Sequence, residues 1–146
     1  MRQINPYSVW VGHAGDGRAF REIFEQGIRA VVQVAIEEIA IQTPRELIYF
    51  RFPIMDSTGN GPELLDMTLS SVANLIRNGI PCLVCCGAGM SRSPAIVAAA
   101  LAVIQGKDFD ECFRLVVACG PSDLSPGLCD EMRIATERAR VSGFVE

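Results

Sequence analysis

Lysine is almost missing from this chain. Of thirteen basic residues twelve are arginine and only Lys107 is lysine, scattered among seventeen acidic residues for a net charge of −4. No basic run or face forms, so neither nucleic acid nor an anionic membrane surface is expected as a partner. Long apolar runs are lacking as well, because Gln105-Gly106 and flanking charges interrupt the longest one before bilayer length. The opening MRQINPYSVW lacks the charged start and the apolar stretch, roughly 7–15 residues long, of a secretory signal. A cytoplasmic location is therefore expected, and the six cysteines are expected as reduced thiols rather than a disulfide framework. Cys82 and Cys85 do make a C-x-x-C, but it lies in an apolar strand-like run with no second pair at zinc-ligand spacing. Packing, not a metal or a redox pair, is the expectation there.

What is present reads as one α/β domain over residues 1–146, with nearly half the residues apolar and no repeat or linker to divide it. Arg18 to Gln26 reads as a short helix stopped by Gly27. Ile28–Ala35 and Leu47–Ile54 read as strands, the second ended by Pro53 and the turn cluster MDSTGNGP. Pro62 opens a helix whose Leu64, Leu65, Leu69, Val72, Ala73 and Ile76 recur at helical spacing up to Asn78-Gly79. Ile80–Cys85, wholly apolar, suits the buried middle of a parallel sheet. Ser93 as cap and Pro94 at the first turn open an alanine-rich helix to Gln105-Gly106. Asp108 and Glu111 form a capping-box-like start for the next, and Pro126 opens the last, which ends near Arg140. The expected architecture is a central, mostly parallel sheet flanked by helices, with loop sites at the carboxyl ends of the strands.

One such loop is CCGAGMSRS, residues 85–93. A cysteine six residues before an arginine is weak evidence alone, since this composition supplies roughly half such a pair by chance. Its context is stronger. The loop joins a buried strand to a helix N-terminus, where inward-facing amides and the helix dipole favour an anion. Gly87, Ala88 and Gly89 let the backbone curl around a phosphate-sized ion, and Arg92 can fork two hydrogen bonds onto its oxygens. The same groups would stabilise a Cys86 thiolate, taking an ordinary pKa of about 8.5 into the range of roughly 3.5–7.5. Cys86 would then be a nucleophile poised beneath phosphorus.

The loop resembles the Cys-x5-Arg-Ser/Thr signature of the cysteine-dependent protein phosphatases, in the Ala-Gly-x-Ser-Arg-Ser form of the small dual-specificity enzymes. The likeness extends over VWVGHAGDG, GIRAVVQVAIEE, the acid loop FPIMDSTGNG and the helix entry SDLSPGLCDEM. The resemblance implies a protein tyrosine phosphatase/dual-specificity phosphatase-like fold and a metal-independent, cofactor-free hydrolysis of phosphomonoesters through a phosphocysteine. It makes Cys86 the nucleophile, and it makes the amides of Gly87, Ala88, Gly89, Met90, Ser91 and Arg92, with the Arg92 guanidinium, the phosphate cradle. Ser93 would assist the thiolate as it leaves, and Asp56 would be the general acid and then base. Phosphate, vanadate or sulfate would bind in the loop. Gly87 to Ser91 carry no charge, which by resemblance favours phosphotyrosine or phosphoserine/threonine on proteins over phosphoinositides or RNA 5′-phosphates; small aryl phosphates should also turn over. A phospho-residue-binding pseudophosphatase is the alternative, and a sulfurtransferase or arsenate reductase fits the loop length and position less well.

One departure stands out: the family usually places histidine where this chain has Cys85. Its loss could raise the Cys86 pKa or loosen the turn, and Cys85 or Cys82 could trap an oxidised Cys86 by exchange. His13 and Asp16 read as turn residues, Asp66 as a solvated helix face, Met90 as pocket rim, and Cys112, Cys119 and Cys129 as core. Ser57, Thr58 and Asn60 either contact substrate or shape the turn.

Overall fold

The computed structural model describes residues 1–142. Five strands form one sheet in the order β1 (Arg2–Gln3), β2 (Val9–Gly12), β5 (Cys82–Cys85), β3 (Ala30–Gln33) and β4 (Ile48–Arg51). Only β1 runs antiparallel, on β2; the other pairings are parallel. The mostly parallel sheet of the sequence reading is thus present, with a two-residue edge strand that is too short to leave a periodic signal.

β5 lies between β2 and β3, with Cys85 level with Gly12 on one side and Gln33 on the other. All four of its residues are buried, as a strand covered on both faces must be. Pleating sends Cys82 and Val84 into the large core cluster and Leu83 and Cys85 into a smaller one. Helix α1 (Phe20–Glu25) covers the smaller side through Ile23, with Trp10, Ile28 and Val31. Helices α2 (Pro62–Arg77), α3 (Arg92–Gln105), α4 (Phe109–Ala118) and α5 (Pro126–Ser142) cover the other.

α3 is the axis of that layer. It is buried without interruption from Arg92 to Ala102, and it packs on α2, α4 and α5. Its run of small, fully buried alanines lets three helices approach closely. The smaller elements obey their local signals: Pro62 sits at the start of α2 after an extended Gly61, and Asp108 caps α4 by accepting the Glu111 amide at 2.8 Å.

One connection is unusual, and two readings need correction. The β3–β4 connection, residues 34–47, contains no helix although it joins parallel strands; the Gln33 side chain and the Tyr49 hydroxyl fasten it internally. Asp66 is not a free solvated face, because Arg138 on α5 forks onto its carboxylate at 2.9 and 3.1 Å. Of the three cysteines beyond α3 only Cys112 is fully buried, with Cys119 and Cys129 at the edge of the core. No helix among the described residues is long and apolar enough to cross a membrane.

Every parallel strand ends at the same edge of the sheet. Gly12, Gln33, Arg51 and Cys85 are the last residues of β2, β3, β4 and β5, and the loops that follow them converge there.

Candidate active site

The loop from Cys86 to Ser91 is held from beneath by the end of β2. The Cys86 amide donates to the Gly12 carbonyl at 3.2 Å, and the Ala14 amide donates to the Gly87 carbonyl at 3.1 Å. Gly89 takes a φ of +73°, and a Cβ there would lie 2.8–2.9 Å from the Gly12 backbone and the His13 nitrogen. Only glycine satisfies both conditions. This close approach folds the loop back so that the Gly89 amide donates to the Cys86 sulfur at 3.3 Å. The sulfur sits on a residue only 2% exposed, at the floor of a cavity of about 330 Å³.

Arg92 is the first residue of α3, with a side chain 6% exposed. Its two terminal nitrogens each donate to a Glu37 oxygen at 2.5 Å, and one also donates to the Ile54 carbonyl at 3.0 Å. The Glu37 carboxylate raises the guanidinium's pKa, and the guanidinium lowers that of Glu37. The Arg92 Nε is buried and has no partner among the described residues, and Arg92 is one of the residues that line the cavity.

Asp56 lies in the loop after β4 and lines the same cavity, its Oδ1 accepting a 2.5 Å hydrogen bond from the Ser91 hydroxyl. That hydroxyl in turn accepts the Ser125 amide at 3.2 Å. The sequence leaves Ser57, Thr58 and Asn60 undecided. Asn60 proves to build the turn: its oxygen accepts the Met55 amide at 2.8 Å and its nitrogen donates to the Met55 and Ser57 carbonyls. Glu131, on α5, clamps the loop from outside by accepting the Gly59 amide at 2.7 Å and the Asn60 side chain at 3.0 Å.

The structure therefore brings Cys86, Arg92, Asp56 and the loop residues together around one cavity. Ser93 differs from expectation. It is not the cap of α3: the helix begins one residue earlier, at Arg92, and Ser91 occupies the cap position without a capping side-chain bond. The Ser93 hydroxyl, fully buried, reaches the Gly12 carbonyl at 3.4 Å. Met90, 37% exposed, forms part of the rim as expected, and Ala88 lines the cavity with it. His13 and Asp16 are turn residues, since Nδ1 of His13 accepts the Gly15 amide and Asp16 accepts the His13 amide.

Cys85 occupies the face opposite Cys86, packed in the α1-side cluster, with its sulfur against Gly17. Burial pushes both its thiol and that of Cys82 up to about 12. Cys82 shares the Cys86 face but sits four residues back along the strand, about 13 Å away. Both thiols are packed in the core, and their burial disfavours the thiolate that exchange with an oxidised Cys86 would require.

Sequence reasoning missed Glu37, Asp123 and Glu131. Asp123 lines the cavity, and its amide donates to the Met90 carbonyl at 2.7 Å. A Cβ on Gly87 would lie 3.0 Å from a Glu37 oxygen, so the carboxylate rests on the first turn of the loop. The one available signal for Glu37 was its place just beyond the carboxyl end of β3.

Residues 10–107 match a family model described as "Polymorphic toxin system, DSP-PTPase phosphatase". Dual specificity phosphatase 28 of Mus musculus is 27% identical over 115 residues, covering 78% of this chain and 70% of that protein. The crystal structure of human DUSP28 superposes with a TM-score of 0.85 at 24% identity, over 97% of this chain and 99% of that one. A mouse putative dual specificity phosphatase crystallised with zinc tungstate gives 0.84 at 23% identity, over 98% and 90%. With the loop, the sheet and the matched residues in agreement, this chain belongs to the polymorphic toxin system DSP-PTPase phosphatase family, as a small atypical dual-specificity phosphatase of the cysteine-dependent superfamily.

Proposed function

We propose that this phosphatase hydrolyses phosphomonoesters through a cysteinyl-phosphate at Cys86, with phosphorylated protein segments as its substrates. The observation that carries the reading is that one cavity is lined both by Cys86, whose sulfur receives an amide N–H, and by Arg92, whose buried Nε lacks a partner among the described residues. A phosphoryl dianion placed there would satisfy the free donor, and the amides of residues 87 to 92 would receive its remaining oxygens.

In the first step the Cys86 sulfur attacks phosphorus while the bond to the leaving oxygen breaks, and Asp56 delivers its proton to that oxygen. In the second, Asp56 takes a proton from water as the water oxygen attacks phosphorus. The sulfur–phosphorus bond breaks, releasing phosphate and restoring the thiolate. Ser91 occupies Oδ1 of Asp56 as a donor, so the transferable proton belongs on Oδ2. A thiolate is a good leaving group, and neither step calls on a metal ion. The Ser93 hydroxyl would serve the thiolate in the second step only by exchanging its long bond to Gly12.

The test is hydrolysis of para-nitrophenyl phosphate and of phosphotyrosine and phosphothreonine peptides in excess EDTA. Wild-type protein should turn over, and Cys86→Ser should lose on the order of 10⁴-fold or more while still binding vanadate or phosphate. Retained turnover in Cys86→Ser would remove the phosphocysteine from the account.

A further inference from the structure

The cavity mouth carries an unusual charge balance for a site that takes a dianion. Its acidic lining among the described residues is three carboxyl groups, Glu37, Asp123 and the proton donor Asp56, against the single guanidinium of Arg92. The terminal nitrogens of that guanidinium are engaged by Glu37 and the Ile54 carbonyl, which leaves the buried Nε and one N–H of Nη2 without a bond among the described residues. The intervening loop, Gly87 to Ser91, adds no charge of either sign.

The carboxylates are also spread along the loop. Glu37 rests against its first turn at Gly87, while the Asp123 backbone is tied to Met90 at its crest. Both acidic residues are solvent-exposed. A chain leaving the pocket past either end of the loop therefore passes a carboxylate. Arg2, the other guanidinium near the loop, is turned to the Gly89 and Pro121 carbonyls and does not line the cavity.

From this arrangement we infer that the site selects phosphorylated residues flanked by lysine or arginine and discriminates against polyanionic substrates. The inference rests on the phosphate-binding reading of the cavity and specifies the class of protein segment it takes. A cationic neighbour of the phosphorylated residue gains attraction chiefly from Asp123, since the Glu37 charge is largely offset by Arg92, whereas an acidic neighbour or a second phosphate on the same ligand is repelled. At separations within one Debye length, each such charge changes binding by about three- to tenfold at low salt.

The experiment compares two phosphotyrosine peptides of one core sequence, flanked by two lysines or by two glutamates, with vesicles containing a phosphatidylinositol monophosphate as a third arm. In wild-type protein at about 20 mM salt, kcat/KM should favour the lysine peptide over both competitors by at least about tenfold, and the ratio should fall to under about threefold near 0.5 M salt. Asp123→Lys should lower the peptide ratio severalfold, since it reverses the charge at one end of the loop. Fluorescence anisotropy of the same labelled peptides on Cys86→Ser protein measures the preference without turnover. Loss of catalysis in wild type with the binding preference intact would overturn the hydrolytic reading and leave this inference standing. Equal use of the two peptides, a ratio that ignores salt or Asp123→Lys, or preferred hydrolysis of the vesicle lipid would overturn it.

Discussion

The two loops that meet in the cavity are built on opposite plans. The one from Cys86 to Ser91 is held by backbone: its amides and carbonyls lock onto the end of β2, and Gly89 presses directly against Gly12. The one from Met55 to Asn60 is mostly exposed and is held by side chains, through Asn60 inside the turn, Glu131 from α5 and Ser91 across the cavity. The first plan suits a group that must keep several donors aimed at one small anion, where a slight displacement would misalign them all. The second suits a group that must reach a leaving oxygen of variable position. The contrast teaches that errors in the cysteine loop propagate, whereas errors in the acid loop stay local.

Asp56→Asn should show the largest separation between the two. If the acid loop supplies only the proton, this variant should lose on the order of 10²–10⁴ in kcat for poor leaving groups such as alkyl phosphates, and far less for good ones. Equal slowing of both would count against Asp56 as the acid. A second contrast uses glycines at positive φ in each loop. Gly89→Ala meets immovable backbone at 2.8 Å, whereas Gly59→Ala, at φ +98°, meets only the end of the flexible Met55 side chain at 3.2 Å. Urea unfolding should show a loss of about 3 kcal/mol for Gly89→Ala and about 1–1.5 kcal/mol for Gly59→Ala. Similar losses at both would mean that the close approach to Gly12 adds nothing beyond backbone strain.

The same contrast explains what could be read before any coordinates. The cysteine loop is legible because its contacts are made by backbone, and backbone geometry is announced by small residues between a wholly apolar strand and a helix with proline in its first turn. Asp56 was legible by resemblance and by its place after a strand. Glu37, Glu131 and Asp123 were not, because each acts across many positions in the chain, and such pairings leave no local pattern. Ser93 was misplaced as a helix cap because Ser91 and Ser93 both precede an apolar run, and only the tertiary demand on Arg92 decides where the first turn begins. Cys85, for which the sequence also suggests a redox role, packs in the cluster on the opposite face of the sheet from Cys86, a placement that adjacent positions in the sequence do not reveal.

Glu37 belongs to neither plan, and it provides the finest test of the comparison. It reaches from the β3–β4 connection to hold the arginine of the cysteine loop, so a side chain here stabilises a backbone-built element. Hydrogen bonds from Arg92 hold its carboxyl below the ordinary range, which means the folded state binds this proton less readily than the unfolded chain does. The resulting stability is present above the ordinary carboxylate pKa of about 4.3 and is lost as pH falls through the depressed folded value. Because Glu37 is 51% exposed, solvent screening limits the effect to about 1 kcal/mol, even though its partner is buried. The stability difference between wild type and Glu37→Gln should therefore be greatest near pH 7 and shrink progressively below about pH 4.5 in urea titrations. A difference that stays constant across this range would mean that Glu37 holds Arg92 by shape and hydrogen bonding alone, and that the cysteine loop needs no charge from outside to keep its guanidinium in place.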